Sequence, residues 1–115
     1  MLKVSSPKII ARIIRQEIAK GGIAKLVADF YDAFPRAEMY LVGGVVRDIL
    51  MGRAGRGDLD FVAREVSAND LKKFLSKYGD VNLVGRNFGV FKFRARGHVA
   101  FIDFALPRTE HARGS

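Results

Sequence analysis

The chain has 115 residues with 49% hydrophobic content and nine Phe, enough for one globular core and too little for two. It carries no Cys, which excludes disulfides and thiolate metal sites, and no apolar run near the roughly 18 residues a membrane span needs. Lys and Arg number 20 against 12 Asp and Glu, so the formal charge of +8 favours polyanions: nucleic acid, nucleotide phosphates or an acidic membrane surface. With no signal-peptide pattern at the N-terminus, cytoplasmic residence is the default expectation.

In chain order, residues 1–36 read as a helical extension. Ile10, Ile13, Ile14 and Ile18 recur at helical spacing, with Arg12, Arg15 and Gln16 turned the other way. Gly21-Gly22 breaks the pattern, and Ile23, Leu26, Val27, Phe30 and Phe34 resume it until Pro35. Met39 to Val42 reads as a buried strand that Gly43-Gly44 turns into a helix from Val45 to Met51, closed by Gly52. A basic, glycine-rich loop over 53–57 leads to a second strand, Asp58 to Ala63. Ser67 to Asp70 forms a capping box for a helix carrying Leu71, Phe74, Leu75 and Tyr78, ended by Gly79. The remainder is β in character: Val81 to Val84, Gly89 to Ala95, a tight turn at Gly97-His98, then Val99 to Leu106. In the Gly89 strand Phe91, Phe93 and Ala95 share one face, and Lys92 and Arg94 the other. This predicts an α/β (α+β) chain with a sheet of about five strands, helices mainly on one face, and two N-terminal helices packed on a unit spanning 37–115.

The chemistry concentrates around residues 41–60. A glycine-lined turn entering a helix presents backbone N–H groups that favour phosphate oxygens. Asp58 and Asp60 lie two apart on a strand, hence on one face, where they can share a divalent cation. Ionised, they would repel each other, and a bound cation reverses that repulsion. Asp103 is a third carboxylate, placed mid-strand where an Asp is costly unless paired or metal-bound. Alternation puts it on a face with Phe101 and Ala105, and a salt bridge to Arg94 or Arg96 is its simpler explanation. Arg47, read in the first turn of its helix, opposes the helix dipole, a conflict that an anion would repair. His98 and His111 have no partner spacing for a metal, and no Ser-His-Asp or Cys-His arrangement can be assembled.

The run Gly43-Gly44-Val45-Val46-Arg47-Asp48, a short loop and Asp58-Leu59-Asp60 resembles the head domain of the tRNA nucleotidyltransferase (CCA-adding enzyme) and bacterial poly(A) polymerase family, within the polymerase-β-like superfamily. The likeness continues in order through Asn87 to Phe93 and Phe101 to Ala105 to Arg108-Thr109-Glu110. The resemblance implies a polymerase-β-like nucleotidyltransferase fold with a mixed sheet. It implies two Mg²⁺ ions on Asp58 and Asp60 with Asp103 assisting, and nucleotide held by Gly43, Gly44, Arg47 and Arg108. Its substrates would be ATP and/or CTP and an RNA 3′ end, in tRNA CCA addition or polyadenylation. The family's neck, body and tail segments do not follow Glu110, so the expectation is a catalytic head with little activity alone. Two alternatives use the same core: an adenylyltransferase acting on a protein or small molecule, and a non-catalytic RNA- or nucleotide-binding module.

Overall fold

Regular apolar spacing on either side of Gly22 yields two helices, α1 (Pro7–Lys20) and α2 (Ile23–Ala33), and Gly22 takes the left-handed φ of +84° that starts α2. The computed structural model describes residues 1–20 (backbone alone for 16–20), 22–52, 59–84, 89–97 and 101–107. Before α1 runs a two-residue strand that the periodicity does not announce, β1 (Leu2–Lys3). The remaining elements are β2 (Glu38–Val42), α3 (Gly44–Leu50), β3 (Asp60–Arg64), α4 (Ala68–Ser76), β4 (Gly79–Val84), β5 (Val90–Ala95) and β6 (Ile102–Ala105).

The strands form one six-stranded mixed sheet in the order β1-β2-β3-β6-β5-β4. β3 and β6 run parallel; the other neighbouring pairs are antiparallel. The sixth strand beyond the five expected is β1, too short for a two-residue period to register in the sequence. It pairs Leu2 with Leu41 and Lys3 with Tyr40. Where β1 ends, Val4 N–H donates to the Met39 carbonyl at 2.9 Å. The Tyr31 hydroxyl accepts from Met39 N–H at 2.9 Å, so backbone groups at this edge find partners from α2.

Alternation decides the faces. Met39 and Leu41 on β2, Phe61 and Ala63 on β3, Phe91 and Phe93 on β5, and Ile102 and Phe104 on β6 are buried under the helices. Their strand neighbours, among them Tyr40, Asp60, Lys92 and Asp103, are half-buried or exposed on the opposite, open face. Ile23, Leu26, Val27 and Phe30 of α2 are buried as their spacing requires. In α1 the buried stripe runs through Ile9 and Ile13, whereas Ile14 is 50% exposed. The isoleucines at 9, 10, 13 and 14 allow two overlapping stripes, and packing against the sheet and α2 selects the first. Aromatic rings pack within each layer: Phe74 of α4 meets Phe30 of α2 edge-on at 5.8 Å, and Phe61 stacks on Phe104 of the neighbouring strand at 5.2 Å. Ser67 caps α4 by accepting from Asp70 N–H at 3.1 Å, and the helix ends at Ser76, three residues before Gly79, which instead begins β4.

Two predictions follow from the core. Phe104 is fully buried between Phe61 and Phe93, so Phe104→Ala should cost about 3–5 kcal/mol, most of a small domain's stability. Urea unfolding measures it; a loss below about 1 kcal/mol would contradict this packing. At the other end of the core, Asp29 accepts from Lys25 at 2.8 Å and from the Tyr78 hydroxyl at 2.7 Å. The Lys25 hydrogen bond first, and that of Tyr78 second, hold the Asp29 carboxyl below its ordinary value. A depressed carboxyl stabilises the fold above its unfolded pKa and loses that contribution as pH falls through the native one. Asp29→Asn should therefore lower the melting temperature at pH 7 and converge with the parent as pH falls through the lowered Asp29 value; curves that stay parallel into acid would refute the coupling.

Candidate active site

Sheet register positions Asp60 and Asp103. At the end of β2 the chain turns at Gly43, with φ +85° and ψ −160°, directly into α3. Val45, Val46 and Ile49 bury one side of that helix and fix it to the sheet. Gly43 is doubly constrained: its φ is one that side chains rarely adopt, and a Cβ there would lie 3.0 Å from Asp60 Oδ2. Among the described residues a Cβ on Gly44 would meet nothing within 4 Å. The glycine turn is thus held against the Asp60 carboxylate.

Asp60 opens β3, paired with Val42 on one side and with Asp103 on the other. Because β3 and β6 are parallel, the two Asp stand side by side on the open face, about 5 Å apart at the Cα atoms. Asp103 N–H donates to the Leu59 carbonyl at 3.2 Å, extending the ladder to this point. Beyond Asp103 the same cross-strand row continues with Lys92 and then Asn82. Lys92 Nζ lies 3.4 Å from Asp103 Oδ1, with the side chains 48% and 37% exposed. The ion pair expected for Asp103 therefore exists, but its cation is Lys92. Arg94 pairs with Asp80 at 3.2 Å instead, and Arg96 lies beyond the end of β5. The signal for Lys92 was its shared face with Arg94; which of them met Asp103 depended on the β5–β6 register.

Phe101 was not marked as functional by its sequence position. Its ring is 42% exposed beside the row, with Arg94 Cζ 5.4 Å and Lys92 Nζ 5.9 Å from the centroid. A large apolar residue on the polar alternation of a strand is the signal that could have found it.

Arg47 is exposed. Because α3 begins at Gly44 and has only seven residues, Arg47 belongs to its last turn. A cation there is not opposed by the dipole, so the electrostatic conflict read from the sequence does not arise. Asp58 and Arg108 lie outside the described residues, as do Asn87, Phe88, His98, Thr109 and Glu110. Among the described residues no three of His, Cys, Asp and Glu are grouped to hold a metal. Asp60 and Asp103 form a pair, all oxygen donors, of the kind that suits a hard divalent cation. At the sheet edge the Glu38 carboxyl is held below its ordinary value by the Tyr40 hydroxyl and then by Lys3.

Residues 39–115 match the family described as the poly A polymerase head domain. Two solved structures resemble this chain. One is from the polymerase core of TRAMP, an RNA surveillance complex: 20% identical, covering 81% of this chain and 32% of that one, with a TM-score of 0.56. The other is the Bacillus stearothermophilus CCA-adding enzyme in complex with CTP: 23% identical, covering 87% of this chain and 20% of that one, with a TM-score of 0.49. The chain thus spans a third or less of either. No curated protein matches the sequence. The mixed sheet with helices packed on one face is the polymerase-β-like nucleotidyltransferase fold, as in the first of these structures. Among the described residues no helix is long and apolar enough to cross a membrane.

The two glycines should respond oppositely to a methyl group. Gly43→Ala should destabilise by about 1–3 kcal/mol through its φ and the Asp60 contact. Gly44→Ala should leave stability equal or up to about 1 kcal/mol higher. Urea unfolding of both variants decides it; equal effects would mean that Gly43 is not sterically required.

Proposed function

This chain belongs to the poly(A) polymerase head-domain family, and from that premise we propose that it carries the nucleotidyl-transfer site of an enzyme extending RNA 3′ ends. The reaction passes AMP or CMP from ATP or CTP to a 3′-hydroxyl, as in polyadenylation or CCA addition. The observation that supports this most is the pairing of Asp60 with Asp103 on neighbouring parallel strands, with the Gly43 turn against Asp60.

The residues fit magnesium. Asp60 and Asp103, with Asp58, would hold two Mg²⁺ ions through oxygen ligands alone. When bound, the ions neutralise triphosphate charge and lower the pKa of the attacking hydroxyl. Gly44, where an added Cβ would meet none of the described residues within 4 Å, would let phosphate oxygens approach the backbone, and Gly43 permits the tight turn. Arg47 and Arg108 supply positive charge for the triphosphate. The RNA 3′-oxygen attacks the α-phosphorus, the bond to the bridging oxygen breaks, and pyrophosphate leaves. Asp103, which contacts Lys92 at 3.4 Å, would on this reading accept the hydroxyl proton. Catalysis on this reading is positioning and charge neutralisation, with no covalent intermediate on the protein. The chain spans a third or less of the solved structures it resembles, and on this reading it would act slowly alone.

Calorimetric titration of ATP and CTP, with and without Mg²⁺, tests the site. Magnesium-dependent binding should occur with similar affinity for both nucleotides and weaken about tenfold or more in Asp60→Asn and Asp103→Asn. Binding indifferent to magnesium and to both substitutions would sink the assignment. Incubation with labelled ATP and a short RNA should give slow RNA extension; label on protein instead would favour an adenylyltransferase.

A further inference from the structure

The open face of the sheet carries a feature that the nucleotide and metal assignments leave unused. Phe101 is 42% exposed, two residues from Asp103 and on the same side of the sheet. Lys92 and Arg94, alternate residues of the neighbouring strand, bring their cationic groups to 5.9 and 5.4 Å from its ring centroid. Lys92 also reaches Asp103, so one ammonium group joins the ring to the carboxylate row. An exposed aromatic ring flanked by cations is the recognition unit for single-stranded nucleic acid: the ring stacks a base and the cations take adjacent phosphates. Hydrogen-bond readout is not needed, which suits an acceptor end of any sequence.

We propose that Phe101, with Lys92 and Arg94, is the platform on which the 3′-terminal base of a single-stranded RNA acceptor stacks, presenting its 3′-hydroxyl to the Asp60–Asp103 pair. The ligand is fixed by the chemistry of the patch together with the overall charge of +8. A protein partner would be served by an apolar patch, whereas here a lone ring sits between two charged side chains. The partial neutralisation of Arg94 by Asp80 at 3.2 Å, a pair with 41% and 73% exposed side chains, does not compete strongly with a phosphate. The proposal rests on reading the carboxylate row as a nucleotidyl-transfer centre, and its test separates the two.

The chain has no Trp, so Phe101→Trp introduces a single fluorescent reporter at the platform itself. A short oligoadenylate RNA, labelled at its 5′ end, should bind the parent chain by anisotropy and quench the introduced Trp. An RNA with an abasic 3′-terminal residue should quench little and bind about tenfold more weakly, while an internal abasic residue changes neither greatly. Phe101→Leu, apolar but not aromatic, should weaken RNA binding about tenfold while retaining the parent melting temperature. Lys92→Gln with Arg94→Gln should flatten the salt dependence of binding. RNA binding without quenching, quenching indifferent to the abasic position, or no RNA binding by the parent would each overturn the platform. Quenching by MgATP alone would overturn it too, giving the ring to the incoming nucleotide. Magnesium-dependent ATP binding that survives Phe101→Leu while RNA quenching fails would reject the platform and leave the carboxylate site standing. RNA quenching that persists in a chain with no metal-dependent ATP binding would do the reverse.

Discussion

The site depends on one pairing, that of β3 with β6. Parallel strands cannot be joined by a hairpin, and the connection here spends α4, β4 and β5 before the chain returns to β3. The return places β6 in the middle of the sheet, between β3 and β5, and sets Asp103 beside Asp60. Neither carboxylate would find the other through local structure. The antiparallel β5–β6 pairing then brings Lys92 to the far side of Asp103. Three charged residues from three strands thereby become one row.

That register is set from the opposite face. The residues next to Asp60 and Asp103 in sequence are Phe61 and Phe104, whose rings stack at 5.2 Å with an interplanar angle of 15°. Phe93, next to Lys92, meets Phe104 edge-on at 5.9 Å. Slipping either strand by one residue would expose a phenylalanine and bury a carboxylate, two large penalties at once. The aromatic core therefore specifies the positions of the acidic groups, and site precision is inherited from packing. Gly43 adds the last constraint, since the turn after β2 can approach Asp60 only where no side chain intervenes.

Much of this was legible in the sequence because local signals agreed with the fold. The helices of residues 7–33 follow their apolar spacing, Ser67 caps α4, and the alternation around Phe91 and Asp103 assigns both faces of the sheet correctly. The spacing of Gly43-Gly44-Val45-Val46-Arg47-Asp48 and of the carboxylates after it led to the family that residues 39–115 match. What stayed hidden depended on long-range contacts or on element boundaries. β1 is two residues long and exists through its pairing with β2. The choice between Lys92 and Arg94 as partner of Asp103 is a matter of cross-strand register. Arg47 changed its electrostatic meaning because α3 starts at Gly44 and is short. The stripe in α1 moved to Ile9 because adjacent isoleucines fit two helical phases equally well.

Charge distribution poses the remaining physical problem and also indicates its solution. The chain as a whole is strongly basic, yet the centre of the open face presents two carboxylates to any polyanion approaching it. Long-range attraction would draw RNA or a nucleotide inward, and the last few ångströms would be repulsive. Among the described residues Lys92 offsets part of this at Asp103, in an exposed pair whose contribution is small. A divalent cation on the carboxylates reverses the sign of the local field where phosphate must come closest. Peripheral cations such as Arg94 meanwhile keep their attraction for the phosphates that arrive before or beside the reacting one. A basic chain with an acidic pair at the centre of its open face is thus a setting in which a bound divalent cation would reconcile the carboxylates with an approaching phosphate.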